Sequence, residues 1–240
     1  MTRIEVRRSA DWFRTREAGR DSRHLFSFGV HYDPARCGFG WLLAVNEERF
    51  DPGAGHAMHR HRDLEIVSWV LDGTLRHDDS SGRHEESGPG VVQRLTAGTG
   101  VDHAERAGPD GARFVQTWVV PERRGLDPSY ERVDVGEVLD PTTSWVSLAG
   151  DAGPGARLHQ PGAELRGARL DPPDSVRLPT ARFVQVHVTR GEVDLAGVGP
   201  LAPGDSALLT QCEGRRLSAV TRSEVLCWVM TGDPLVAGLR

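Results

Sequence analysis

Two stretches of the chain repeat each other. Val70-Leu71-Asp72-Gly73-Thr74-Leu75 is echoed by Val188-Thr189-Arg190-Gly191-Glu192-Val193. Pro89-Gly90 followed by Leu95-Thr96 is echoed by Pro203-Gly204 followed by Leu209-Thr210, with equal spacing inside each pair. Each copy reads as a strand, a glycine turn, another strand and a Pro-Gly turn, so the chain is expected to build two similar β units. Runs rich in β-branched and aromatic residues support this at 24–30, 41–46, 65–71 and 113–120, and again at 143–149, 182–188 and 224–230. Between them, 28 glycines and 15 prolines leave little room for long helices. Helix is expected only in a short piece around Ala10–Ala18. The polar, turn-rich stretch 121–141 is the expected linker, which divides an all-β chain into units 1–130 and 131–240.

Charge and composition exclude several functions. A formal net charge of -5 offers no general attraction for a nucleic-acid backbone or an anionic membrane surface. No segment reaches the apolar length of a membrane span, and MTRIEVRRSADWF has no apolar run after its basic residues, so a cytoplasmic protein is expected. Cys37, Cys212 and Cys227 are odd in number, far apart and without CxxC spacing, which points to ordinary thiols.

The chemistry lies in the first unit. His59-Arg60-His61 sets two imidazoles at i and i+2, which on a strand share a face. His103-Ala104-Glu105 is a second such pair, ending a glycine-containing segment, LTAGTGVDHAE, suited to a tight corner. Two adjacent strands can thus present four ligands, His59, His61, His103 and Glu105, to one ion. Imidazole and carboxylate suit divalent iron, manganese, nickel, cobalt, copper or zinc, and the lack of thiolate argues against a soft-metal or cluster site. Glu65 has the parity of His59 and His61, so geometry leaves it open as a ligand too. His56 reads as a loop residue or one supporting a ligand. His77 and His84 flank the turn DDSSGRHEES and are expected in solvent. His24, His31, His159 and His187 are isolated and take no ligand role, and Trp69 and Trp118 read as core residues.

The segment GAGHAMHRHRDLEIVSWVLDGTLRHDDSSG followed by PGVVQRLTAGTGVDHAE resembles the N-terminal half of pirin-like bicupins, in particular their bacterial quercetinase-type branch. The resemblance is strongest over 24–120 and continues through TRGEVDLAG and LAPGDSALL. It implies two tandem cupin (jelly-roll) β-barrels, the first holding one divalent metal, iron(II) foremost, on His59, His61, His103 and Glu105. Glu65 then becomes a group orienting a histidine. Arg60, Ala104 and Asp102 depart from the usual pattern without removing a ligand. Aligning the repeat sets Arg177, Pro179, Leu217 and Ala219 at the four ligand positions, so the second barrel is expected to be metal-free. The implied activity is dioxygenolysis of a flavonol such as quercetin with loss of carbon monoxide, Glu105 acting as general base. The same ligands also serve family members that resemble metal-dependent redox sensors binding protein partners.

Overall fold

The computed structural model describes residues 2–139 and 144–233. The chain is almost entirely β, and the expected helix is confined to a single 3-10 turn at Ser9–Asp11. Phe13–Glu17 is instead a strand paired with Arg20–His24, because its charged residues alternate along an edge rather than building a helical apolar face. Of the run 24–30, only His24 is in a strand. The remainder bends back on itself, closed by reciprocal backbone hydrogen bonds between Phe28 and His31.

The first unit is a nine-stranded sheet. Its spine is the antiparallel pair Glu65–Asp79 and Val101–Val119. Leu42–Phe50 and Gly55–His61 both lie against Val101–Val119, and Val91–Thr96 lies against Glu65–Asp79. Within the polar stretch 121–141, Ser129–Asp134 is itself a strand on Val91–Thr96, while 140–141 fall outside the described residues. Bulges between Val70 and Asp72 and between Gly73 and Leu75 bend the spine. Its first half therefore packs in the core while its second half carries Asp79 opposite His103.

The second unit repeats the device. Thr180–Arg190 pairs with Ser223–Met230 and bulges between Val188 and Arg190, the positions equivalent to Val70 and Asp72. Gly191 follows at φ 67° and Gly73 at φ 70°, and the two Pro-Gly turns share φ near 84° and 88° at Gly204 and Gly90. Only a residue without Cβ adopts such angles freely, which is why the repeat is written in glycines.

The units are stitched together. Arg3–Arg7 joins the seven-stranded sheet of the second unit by pairing with Ser206–Glu213. One apolar cluster takes Trp41, Val67 and Trp69 from the first unit and Leu165, Leu208 and Trp228 from the second. Within the second unit, Ser175–Arg177 pairs with Arg216–Ala219 as Gly55–His61 pairs with Val101–Val119. The residue facing Leu217 is Val176 rather than Arg177, one position from the alignment of the repeat, since only the first unit has a bulge between His56 and His59. Val176 and Leu217 are buried with Leu178 and Leu195, so hydrocarbon fills the place that imidazoles hold in the first barrel.

Candidate metal centre

Antiparallel pairing sets His59 directly opposite His103, with His61 opposite Val101. The three rings converge: His59 and His61 centroids are 4.7 Å apart, His59 and His103 4.7 Å, His61 and His103 4.9 Å. One ring nitrogen from each lies within 4.8 Å of the others, a spacing that a single cation can bridge. His59 Nδ1 sits 2.7 Å from the carbonyl of Ala57. A carbonyl only accepts, so Nδ1 carries the proton and the Nε2 lone pair is free. That Nε2 is 2.9 Å from Nε2 of His61.

His103 is the most telling residue. It is 1% exposed, and neither of its ring nitrogens has a hydrogen-bond partner. Leaving buried polar atoms unsatisfied costs about 1–3 kcal/mol, and a cation at the centre of the three rings would remove that cost for one of the two nitrogens. Burial, reinforced by the neighbouring imidazoles, lowers the pKa of His103 to about 2. Burial and His59 lower that of His61 to about 4. Both are neutral at physiological pH, the form in which a histidine ligates. The donor set therefore fits a divalent transition metal.

Glu105 shares the buried face of its strand with His103. It falls in a second cluster, His77, His103 and Glu105, joined to the first through His103. Burial raises its pKa to about 7, opposed by a hydrogen bond from Gln116. Gln116 donates to Oε2 at 2.7 Å, and Gln93 donates to Oε1 at 3.3 Å. The amides are aimed by what their oxygens accept: Trp118 Nε1–H bonds Gln116, and the Tyr130 hydroxyl bonds Gln93 at 2.7 Å. Trp118 also meets His61 edge-on at 4.9 Å, so it faces the cluster as well as the core.

Several expectations change here. His77 is not in solvent; it is 1% exposed, stacked on Tyr130 at 4.5 Å and 3.2 Å from Asp79, because its strand continues to Asp79 at the edge of the turn and pairs His77 with Glu105. His84 is exposed as expected. Glu65 is fully buried, and the histidine it orients is His159 of the second unit: it accepts from the backbone N–H and lies 3.0 Å from Nδ1. His24 and His31 are not isolated, since both lie within hydrogen-bond reach of Thr15, at 3.0 and 3.1 Å. Gln93 and Gln116 belong to no motif; each directly follows a buried apolar pair, Val91-Val92 and Phe114-Val115, and that local setting is the signal of an inward polar role.

A family model described as Pirin matches residues 6–119. A putative quercetin 2,3-dioxygenase of Mycobacterium tuberculosis is 42% identical over 231 residues, 95% of each chain. The quercetin 2,3-dioxygenase of Escherichia coli K12 is 33% identical over 210 residues, 86% of this chain and 89% of that one. Among solved structures, the bacterial pirin YhhW from Escherichia coli in complex with nickel(II) superposes with a TM-score of 0.88 at 28% identity, covering 96% of this chain and 100% of that one. The chain accordingly belongs to the pirin family, as a bicupin of the bacterial quercetinase-type branch.

Proposed function

We propose that His59, His61, His103 and Glu105 hold one divalent transition metal, iron(II) foremost, and that the loaded protein cleaves a flavonol with dioxygen and releases carbon monoxide. The observation that carries this reading is the pair of unpartnered, buried nitrogens on His103 at the focus of the imidazole cluster. The names of the relatives support the substrate class, and the nickel(II) bound by YhhW supports the metal class. Units 1–130 and 131–240 divide the work, apart from Arg3–Arg7, which pairs in the sheet of the second, and Ser129–Asp134, which pairs in the sheet of the first. The metal belongs to the first unit, and the apolar barrel of the second supports it.

When bound, the ion supplies Lewis acidity toward an enol oxygen and redox capacity toward dioxygen. The protein does the rest. Glu105, with both oxygens steadied by glutamine amides, takes the proton of the substrate's 3-hydroxyl as general base. His59, locked in one tautomer by Ala57, keeps its lone pair directed at the centre. Trp118 and Phe28, edge to face at 5.0 Å, form an aromatic wall that excludes water from the reacting ring. We place the reaction in the cytoplasm, where the three unpaired cysteines stay reduced.

The test is direct. Protein loaded anaerobically with iron(II), manganese, nickel, cobalt or copper is expected to consume quercetin and release carbon monoxide in at least one form. His59→Ala should lose the metal, and Glu105→Gln should cut turnover by at least about a hundredfold, the scale of a general base. Inactivity of every metal form on several flavonols would remove the enzymatic reading.

A further inference from the structure

A second recess lies one ring's breadth from the imidazole cluster. It has a volume of about 210 Å³ and is lined by Ser22, His24, Phe28, Val30, Glu48 and His56, among others. His56 connects it to the cluster along one strand, its ring 6.0 Å from His59. Phe28 connects it along a second line, through Trp118 to His61. The volume is below the roughly 300–1,000 Å³ that takes a whole drug-sized ligand, so the recess suits a single substituted ring whose parent molecule extends toward the metal cluster.

Its polar groups are specific. Glu48 is 2% exposed; its Oε2 accepts from the Ser22 hydroxyl, and its Oε1 has no partner among the described residues. His56 Nδ1 faces the Arg20 guanidinium, which can only donate, so the proton of His56 resides on Nε2, which has no partner among the described residues either. The walls are aromatic: Phe28 stacks on His24 with centroids 4.8 Å apart. Arg20, the cation of the lining, is already paired with Glu17 and turned to His56, so the groups left open are the Glu48 oxygen and the His56 N–H, which suit a neutral hydrogen-bonding partner. An unsubstituted ring would leave Oε1 and the Nε2–H unsatisfied.

We propose that this recess is the subsite for a pendant hydroxylated aromatic ring of the substrate, with Glu48 and His56 reading its hydroxyls and the stacked pair of Phe28 and His24 forming one wall beside it. The proposal rests on the flavonol reading and adds what selects among flavonols. Glu48 is a specificity residue in this arrangement, with no part in the chemistry at the metal.

The experiment uses zinc-loaded protein under argon and follows quenching of tryptophan fluorescence by three flavonols carrying two, one or no hydroxyls on the pendant ring. The dissociation constant is expected to rise about tenfold from two hydroxyls to none. Glu48→Met should bring that ratio within about twofold, and Glu48→Gln should keep part of it, since an amide still hydrogen-bonds. Should Glu48→Met fail to fold or to hold zinc, Val30→Trp, at the rim of the recess, tests the same point. It should weaken binding of all three flavonols while sparing 3-hydroxychromone, which lacks the pendant ring. Absence of discrimination in the native protein, an unchanged ratio in Glu48→Met, or equal effects of Val30→Trp with and without the pendant ring would each overturn the subsite. Carbon monoxide release alongside such a failure would leave the enzymatic reading standing. Discrimination without turnover would do the reverse.

Discussion

Buried carboxyl groups without a cationic partner are rare, and two of them, Glu48 and Glu105, lie on the inner faces of neighbouring strands. For Glu48, burial is the main reason its pKa rises from 4.5 to about 7, with Ser22 opposing the rise and the charge of Glu105 adding to it. The sign follows from linkage. Below about pH 4.5 the group is protonated in folded and unfolded chains alike, and its contribution to stability is fully present. As pH climbs toward 7 the unfolded chain gives up the proton while the folded one retains it, so stability is lost across that window and levels off above it. The full loss is on the order of 3 kcal/mol. In urea unfolding of metal-free protein, Glu48→Gln should therefore gain on the native chain between pH 5 and pH 8; a difference that is flat with pH would contradict the buried-acid account. At this scale the imidazole cluster was legible because two i, i+2 pairs declare a shared face. His77, Gln93 and Tyr130 were not, because what brings them to Glu105 is pairing between strands distant in sequence, and DDSSGRHEES reads locally as a solvated turn.

At the scale of elements, the cluster depends on how closely Gly55–His61 approaches Val101–Val119. A Cβ on Gly55 would stand 2.0 Å from the carbonyl oxygen of Glu105 and 2.6 Å from Cα of Arg106, so only glycine lets the strands meet at this end. Gly55→Ala should prise them apart just where the bulge between His56 and His59 sets the register of the imidazoles. We expect a stability loss of about 1–3 kcal/mol and weaker binding of nickel by titration calorimetry. Gly88→Ala is the control, since a Cβ there meets nothing nearer than 3.9 Å and should change neither quantity. Gly55→Ala protein binding nickel as tightly as native would show that the close approach is not needed for the cluster. Six of the seven β-rich runs lie mainly in strands, and the repeat was legible too, but short polar strands such as Phe13–Glu17, Arg20–His24 and Ser129–Asp134 carry no such run. The exception at 24–30 is instructive: Leu25 and Phe26 are buried as a strand's apolar residues would be, yet they belong to a loop held by hydrogen bonds from Ser27 and Arg36. Burial and strand pairing are separate properties, and hydrophobicity reports only the first.

At the scale of the whole molecule, the two barrels behave as one body because polar and apolar contacts cross between them together. Glu224 of the second unit is 4% exposed and accepts from Trp69 Nε1 of the first at 3.0 Å. It also accepts from Thr189 Oγ1 at 3.1 Å and Arg169 Nε at 2.8 Å within its own unit. Trp69 is in turn part of the apolar cluster that both units build. Neither unit can open without exposing that cluster and stranding the carboxylate. Glu224→Ala leaves the indole N–H and Arg169 without their acceptor, which should cost roughly 3–5 kcal/mol, as removal of one partner of a buried charged pair does. Because the loss falls on contacts shared by both units, the variant should still unfold in a single transition, at lower denaturant. Far-ultraviolet circular dichroism, tryptophan fluorescence and release of bound nickel should all move to the same new midpoint. If nickel release stayed at the native midpoint while the dichroism shifted, the metal-holding barrel would be stable without its neighbour, and the shared core would not be what joins them.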